Sequence, residues 1–580
     1  MRRFRFLNIH YSRQRASALL LVLVFTSVCL IVLAGALGWS MANTQVTQRH
    51  CQHSRSLAAA EAATEKVLSA IVSDFRNQGQ GFVMGNLASY RAMCPTPAES
   101  SAWADFTFMD VQGTPQCTYV RYTPGNSYQI VSDQYRGLRG FPNSFQIISN
   151  VRQVNSLLNV IGAVQQQIQV TTIPLFQFAQ FYNLDYECGA GPLMTVTGPV
   201  HCNASIYLTP ATGLIYNSDV TAAGQIYSTP KAGNPQPDQN APITFNGAHD
   251  AQVSTLNLPI GTNNSPAAVR QVVEVPPLGE SASSTLGRQR YYNKSDLIIV
   301  VNSNTVQLTS GLLNNFSTTI PWLQATQFLR TNVSFTNQRE NKKINATEID
   351  IGRFIAWNAT NKVLRAILPA ADVRTIFVAD QRPQSAATEP GVRLIDGQLL
   401  PPQGLTVASP NPVYIKGDYN CPDAFLGTTN TSGSLPASIA ADAITILSPA
   451  WDDTRSAGAL SSRVALDTTV NAAFFAGIVQ TAPATGYSGG VENFPRFLED
   501  WTGKTLTYNG SMVVMFDSQF ATAPWVGTGG YYNPPIRNWA FDNNFLDPTK
   551  LPPVTPAAYL LVRGNWRVAQ PGSTNVLVTL

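Results

Sequence analysis

Three pairs of neighbouring carboxylates are the first place to look for chemistry: Asp452 with Asp453, Glu499 with Asp500, and Glu348 with Asp350. Hydrolysis of a glycoside needs two carboxyl groups that face one another across the substrate. Residues adjacent on a strand point to opposite faces, so the first two pairs are poorly placed for that task. Solvated surface or turn carboxylates are the preferred reading, and no catalytic residue is assigned. No G-x-x-x-x-G-K-[ST] run is present to cradle a phosphate. The five histidines are scattered without zinc spacing, so no metal site and no cofactor are expected. Trp525, Tyr531, Tyr532 and Trp539 have the ring types of a sugar-binding platform, with core packing as the commoner use of such residues.

Cysteine is the other reactive type. Cys94 with Cys117, and Cys188 with Cys202, are close enough in sequence to pair as disulfides in an oxidising compartment. Unpaired thiols are the equal alternative. Cys29 falls in an apolar run and reads as a small buried hydrophobe.

That apolar run is the element on which the rest depends. From Ala16 the chain carries no charge until Arg49. This supplies the roughly 20 apolar residues that a helix needs to cross a bilayer. In lipid the backbone must satisfy its own hydrogen bonds, so the segment is helical. Ala18, Leu21, Phe25 and Leu30 are its anchoring residues, and Trp39 suits the outer interface. Arg2, Arg3, Arg5, Arg13 and Arg15 precede it, and the positive-inside rule keeps them in the cytoplasm. The run exceeds an ordinary signal-peptide core, which favours a retained single-pass anchor. Residues 54–76 continue without Gly or Pro, and Leu57, Ala60, Thr64, Leu68, Ile71 and Phe75 form one apolar stripe. A continuous helix from Ala16 to Arg76 would be roughly 90 Å long.

Composition sets the compartment. Charged residues are 12 % of the chain, against about 25 % in ordinary globular proteins. Asn, Gln, Ser and Thr fill the gap, which suits an envelope or extracellular protein. A net charge of +4, much of it in the first fifteen residues, leaves no basic field for nucleic acid. The chain divides into a basic leader (1–15), a transmembrane helix (16–40), its continuation (41–77) and an α+β region (78–172). There follow the first part of a β-rich domain (173–240), an inserted subdomain or elaborated loops (241–370), and a C-terminal β-rich region (371–580). Residues 144–170 read as a strand followed by a helix-like segment, and Asn341–Trp357 as a short amphipathic helix. From Ile173 short strand-like units closed by Gly, Asn, Asp or Pro follow one another. Their spacing predicts a mainly β fold behind the long helix, as a parallel β-solenoid, with an antiparallel sandwich as alternative. A capping helix is expected near 492–501, carrying Phe494, Phe497, Leu498 and Trp501.

The leader-and-helix pattern resembles the type IV pilin-like proteins, and most closely the PilX-type minor pilins. The carrying residues are Arg15-Ala16-Ser17-Ala18-Leu19-Leu20-Leu21 and Leu57-Ala58-Ala59-Ala60-Glu61-Ala62-Ala63. The resemblance covers about the first 75 residues. It implies cutting by a prepilin peptidase between Ala16 and Ser17, at the inner membrane's cytoplasmic face. Two departures stand out: Ala16 replaces the usual Gly, and Leu21 stands where major pilins have Glu. The resemblance thus implies a non-enzymatic minor subunit, with bilayer lipid and other pilin-like subunits as partners of residues 16–76. Its bulk would be periplasmic or extracellular, in roles of pilus assembly, adhesion or secretion. A carbohydrate-active β-helix enzyme and a membrane-anchored adhesin with a glycan ligand are the alternatives.

Overall fold

The computed structural model describes residues 15–573, apart from 126–127, 131–134, 136, 157, 238, 240, 304, 312–321, 362–372, 526 and 528. The arginines at 2, 3, 5 and 13 lie outside these residues, as does most of the expected leader. The helix Arg15–Gly85 has two halves with different surroundings. Residues 18–51 are exposed on every face, including Ala18, Leu21, Phe25, Leu30, Trp39 and Cys29. This stretch is long and apolar enough to be a candidate membrane span. Cys29 therefore lies on the helix surface and is not buried. From Ser56 onward one face is covered: Ala59, Ala60, Ala63, Thr64, Val67, Leu68, Ile71 and Phe75 are buried. The period of three and four that marks the stripe in the sequence is thus a packing face. Gly79, at φ 77°, interrupts the helix in a conformation that glycine adopts without a Cβ penalty.

What covers the stripe is an antiparallel sheet. The strands Arg139–Gln153 and Ile161–Pro174 form a long hairpin, flanked by Phe106–Met109 on one side and Ala557–Val568 on the other. Phe145, Ile147, Ile168 and Val170 meet Val67, Leu68, Ile71 and Phe75. Val151 and Val164 meet the Ala59–Ala63 turn, where small side chains allow close approach. The helix-like reading of 151–164 is corrected here. Asn155 turns the chain at φ 57°, and Asn150 pairs with Ala163 across the hairpin. Burial is unbroken over 145–151 and 162–166 and is lost at the turn between them, which is not the pattern of one buried helical face.

The last strand changes the domain plan. Ala557–Val568 pairs antiparallel with Ile161–Pro174, from Ala557 beside Pro174 to Val568 beside Val164. Glu65 on the helix accepts from Arg563 at 3.0 Å and from Gln166 at 2.9 Å. Residues 371–580 are therefore not one C-terminal unit. The helix–sheet layer is built from both ends of the chain, and residues 175–556 leave it and return.

Within that excursion, short strands pair in parallel at a fixed offset. Gln180–Tyr182, Val200–Cys202 and Val220–Ala222 pair in succession, each 20 residues from the last. Tyr186–Cys188, Ile206–Leu208 and Ile226–Tyr227 do the same, as do Met194–Val196 and Leu214–Tyr216. The next step widens to 29 residues, because Val220 pairs with His249 and Leu214 with Ile243. A second parallel series runs through Leu297–Val301, Thr375–Asp380, Leu405–Ala408, Ala437–Ala441, Thr468–Ile478 and Thr505–Asp517. Its other wall is Lys342–Asp350, Thr388–Ile395, Val413–Lys416 and Ile444–Leu447. Asn471 and Asn509, in register, join side chains at 2.8 Å.

The two series share one 12-stranded sheet, because Met512–Val514 pairs with Gln180–Tyr182. The chain starts mid-sheet, runs out to one end at His249–Ala251, crosses to the other end, and coils back to its own start. Two expectations need correction within this layout. Residues 341–357 are a strand, Lys342–Asp350, before the helix Ile351–Thr360, in which Ile351, Phe354 and Trp357 are buried. Asp350 caps that helix by accepting from the Arg353 N–H at 2.9 Å. No capping helix forms at 492–501: only Val491–Asn493 makes a 3-10 turn. Beyond it Arg496 and Asp500 bridge in parallel to Thr445 and Val464. Phe494, Phe497, Leu498 and Trp501 are buried along the flank of the parallel series, not over its end.

Candidate functional site

The junction of the two series leaves a cleft of about 190 Å³. Gly189, Gly191 and Pro192 contribute one side, from the turn after Tyr186–Cys188. The turn Val491–Asn493 forms the floor, and Trp525, Tyr532 and Arg537 the opposite side. Tyr487 and Trp525 meet edge to face, with centroids 5.6 Å apart at 89°. The Trp525 indole N–H donates to the Tyr532 hydroxyl at 2.9 Å, and that hydroxyl donates to Asn493. Asn493 in turn donates to the Gly489 carbonyl at 2.5 Å. Gly490 stands at φ 69°, and a Cβ there would collide with the Glu492 carboxyl. Glycine is thus required where the carboxyl folds back.

Glu492 is the buried acid of this cleft, 6 % exposed. Its carboxyl is met by its own backbone N–H and accepts a long bond from the Gly189 N–H, at 3.4 Å. Arg537 donates to the Glu492 backbone carbonyl at 2.8 and 3.1 Å. Burial pushes the Glu492 carboxyl up to about 7, against the pull of the nearby Arg537 charge. Glu187 is raised as well, by burial first.

Of the four platform aromatics, Trp525 and Tyr532 line the cleft. Tyr531 stacks on Tyr532 at 5.4 Å and is buried, with the Arg339 guanidinium over its ring. Trp539 lies beside Tyr508 in a separate small depression of about 30 Å³. Tyr487, Glu492 and Arg537 were not among the sequence candidates. The signal for them is an acid inside an aromatic run behind two adjacent glycines, Gly489 and Gly490.

The carboxylate pairs are each used elsewhere. Asp452 caps a turn through Thr454, while Asp453 takes Arg393 at 2.6 Å and the Trp451 N–H at 2.9 Å. Glu348 is buried and paired with Arg393 at 2.5 Å. Glu499 accepts from the Ser448 N–H and hydroxyl at 2.6 Å each, and Asp500 from Thr502 and Asn533. Gly486-Tyr487-Ser488-Gly489-Gly490 has G-x-S-x-G spacing, but no strand leads into it and no helix follows Ser488. Ser488 instead accepts from Arg339 through its carbonyl at 3.2 Å. A nucleophile elbow needs that strand and helix to lift the serine.

All seven cysteines lie among the described residues and are free thiols. Of the two alternatives for Cys94 with Cys117 and for Cys188 with Cys202, unpaired thiols are what the structure has. Cys188 pairs in register with Leu208, whereas Cys202 sits between Tyr182 and Ala222 in a different stack. The Cys202 thiol donates to the Leu184 carbonyl at 3.1 Å, and burial pushes it up to about 12. Cys94 is buried and raised too, with Cys117 close enough to contribute. Among the described residues no group of His, Cys, Asp and Glu is placed to hold a metal.

No family model matches the chain, and no curated protein matches it. One solved structure, the competence-associated pilin ComZ from Thermus thermophilus, is similar over 89 % of this chain and 98 % of its own, at 10 % identity and a TM-score of 0.28.

The buried acids make stability depend on pH. Burial raises Glu389, Glu492 and Glu499 from the ordinary 4.5 to about 7. Between those values the fold keeps the protons while the unfolded chain releases them, so stability falls as pH rises from 4.5 to 7. His201 works the other way. Burial holds it at about 4 against the ordinary 6.5, so its contribution is lost as pH falls across that window. The raised acids outnumber the one lowered histidine, and thermal melting in detergent is expected to show a falling Tm from pH 5 to pH 7.5. Glu499→Gln is expected to flatten the slope. A Tm that rises over the same range would contradict this balance.

Proposed function

We propose that this chain is a non-enzymatic, pilin-like envelope subunit of the minor, PilX-like kind. Its exposed apolar half-helix sits in the inner membrane and then among neighbouring subunits of a pilus or secretion pseudopilus. The observation that carries this reading is the division of the helix Arg15–Gly85. Residues 56–75 are occupied by the protein's own sheet, whereas 18–51 are exposed on all faces, and 18–39 of these are almost wholly apolar and uncharged. A helix that is apolar all round needs lipid or other helices about it. On this reading residues 175–556 are displayed at the tip or surface, as a parallel β-solenoid. The 20-residue offset shared by its strand stacks supports that architecture over a sandwich, whose strands run antiparallel.

The test is the mature N-terminus, read by mass spectrometry on protein from membranes of cells that make prepilin peptidase. A start at Ser17 is the expected result. An intact Met1 would mean a plain membrane anchor, and loss of the whole apolar helix would rule out both.

A further inference from the structure

We propose that the cleft between Gly191, Glu492 and Trp525 is a binding site for one neutral sugar ring, a hexose or N-acetylhexosamine at the end of a glycan. The site stands whether or not the helix enters a fibre. Its walls offer what a pyranose needs on its apolar face. Trp525 is half-buried and held by its bond to Tyr532, so its ring is pre-oriented at no cost on binding. Tyr487 meets it at a right angle and closes the corner. Flat aromatic surface against sugar C–H groups is a recurrent use of such rings.

The polar groups point to hydroxyl donors. Asn493 has both ends of its amide engaged, with Gly489 and Tyr532. Arg537 spends two N–H groups on the Glu492 carbonyl. The Glu492 carboxyl is different: it is buried, lines the cleft and is met by backbone N–H groups, its own and that of Gly189 at 3.4 Å, with no side-chain donor to it among the described residues. A buried acceptor in that state gains by taking O–H donors from a ligand. Gln236, Gln239 and Thr209 lie around the same space and add neutral donors and acceptors. Charge narrows the class further. The Nε–Nη2 edge of Arg537 is already taken by the Glu492 carbonyl, so it is not open as a fork for a uronic or sialic carboxylate. Arg537 beside Glu492 offsets the attraction that a cationic ligand would feel. A neutral ring is what remains. The volume of about 190 Å³ suits one ring and not an extended chain.

The experiment uses the full chain in a detergent without sugar headgroups. It is screened on an array of glycans ending in galactose, glucose, mannose, N-acetylglucosamine, N-acetylgalactosamine, sialic acid or glucuronic acid. Hits are confirmed by saturation-transfer NMR with the free sugar. Binding to at least one neutral terminus is expected. Trp525→Ala and Glu492→Gln are expected to weaken it ten-fold or more. Gly191→Trp is expected to abolish it, since Gly191 is exposed with open space where a Cβ would go. That variant fills the mouth without touching the core, so it decides the matter even where Trp525→Ala disturbs folding. No binding to any neutral terminus, a preference for the acidic ones, or equal binding by Gly191→Trp would each overturn the proposal.

Discussion

A chain ending at Pro556 is expected to lose the helix–sheet layer altogether. The strand Ala557–Val568 supplies one whole edge of that sheet, in register with Ile161–Pro174 along ten residue pairs. Each net backbone hydrogen bond is worth about 1 kcal/mol. The strand also buries Ala558 and Leu560, and Tyr559 meets Phe75 edge to face at 5.6 Å. Removing it costs on the order of 10 kcal/mol, which matches the whole stability of an ordinary domain, about 5–15 kcal/mol. Limited proteolysis of detergent-solubilised protein is the measurement. New cleavage within residues 56–75 and 139–174 is expected in the truncated chain, where the full chain resists. Leu560→Ala is a milder version, expected to cost about 2–4 kcal/mol. Unchanged protection in the truncated chain would mean that the hairpin and helix hold without their outer strand.

That closure was not legible in the sequence, for a physical reason. The partner of Ala557 is Pro174, nearly four hundred residues away, and nothing local in either strand names the other. Local patterns fared better. The stripe from Ala60 to Phe75 is the buried face of the helix, because helical periodicity survives without knowledge of the partner. Residues 151–164 misled because Val151, Val154, Leu158 and Ile161 fit a helical spacing by chance across a turn at Asn155. The parallel offset was present but masked. Val200, Ile206 and Tyr207 recur as Val220, Ile226 and Tyr227, and the following step stretches to 29 residues and hides the repeat. At the cleft, aromatic type flagged Trp525 and Tyr532. Glu492 escaped because the helix expected at 492–501 would have placed it on a solvated end. Two glycines and a 3-10 turn place it inside instead.

Asp442→Ala is expected to be the most damaging single substitution in the strand-stacked region, at about 3–5 kcal/mol. Asp442 is fully buried at the end of Ala437–Ala441. Its carboxylate takes the Arg270 guanidinium and the Ser518 hydroxyl, and the N–H groups of Gln519, Phe520 and Ala521 at 2.8, 3.2 and 3.4 Å. Arg270 belongs to the short helix Pro266–Arg270, in the crossing that carries the chain from one end of the 12-stranded sheet to the other. It also holds Glu274 at 3.0 Å and lies over the Phe516 ring. One carboxylate thus fastens three things: the crossing, the turn after Thr505–Asp517, and the strand Ala437–Ala441. Without it Arg270 keeps a buried charge with only the half-exposed Glu274 to answer it. Leaving one ion of a buried pair unanswered is what makes the loss large. Arg270→Met in the same background separates the two contributions. If the charge left behind is the main cost, the double variant melts above Asp442→Ala alone, and thermal denaturation in detergent reads the difference. If the double variant melts lower still, the lost backbone contacts at 519–521 dominate. A melting temperature unchanged by Asp442→Ala would show that the crossing is held by its apolar residues, Val269, Val272 and Val273, without the ion pair.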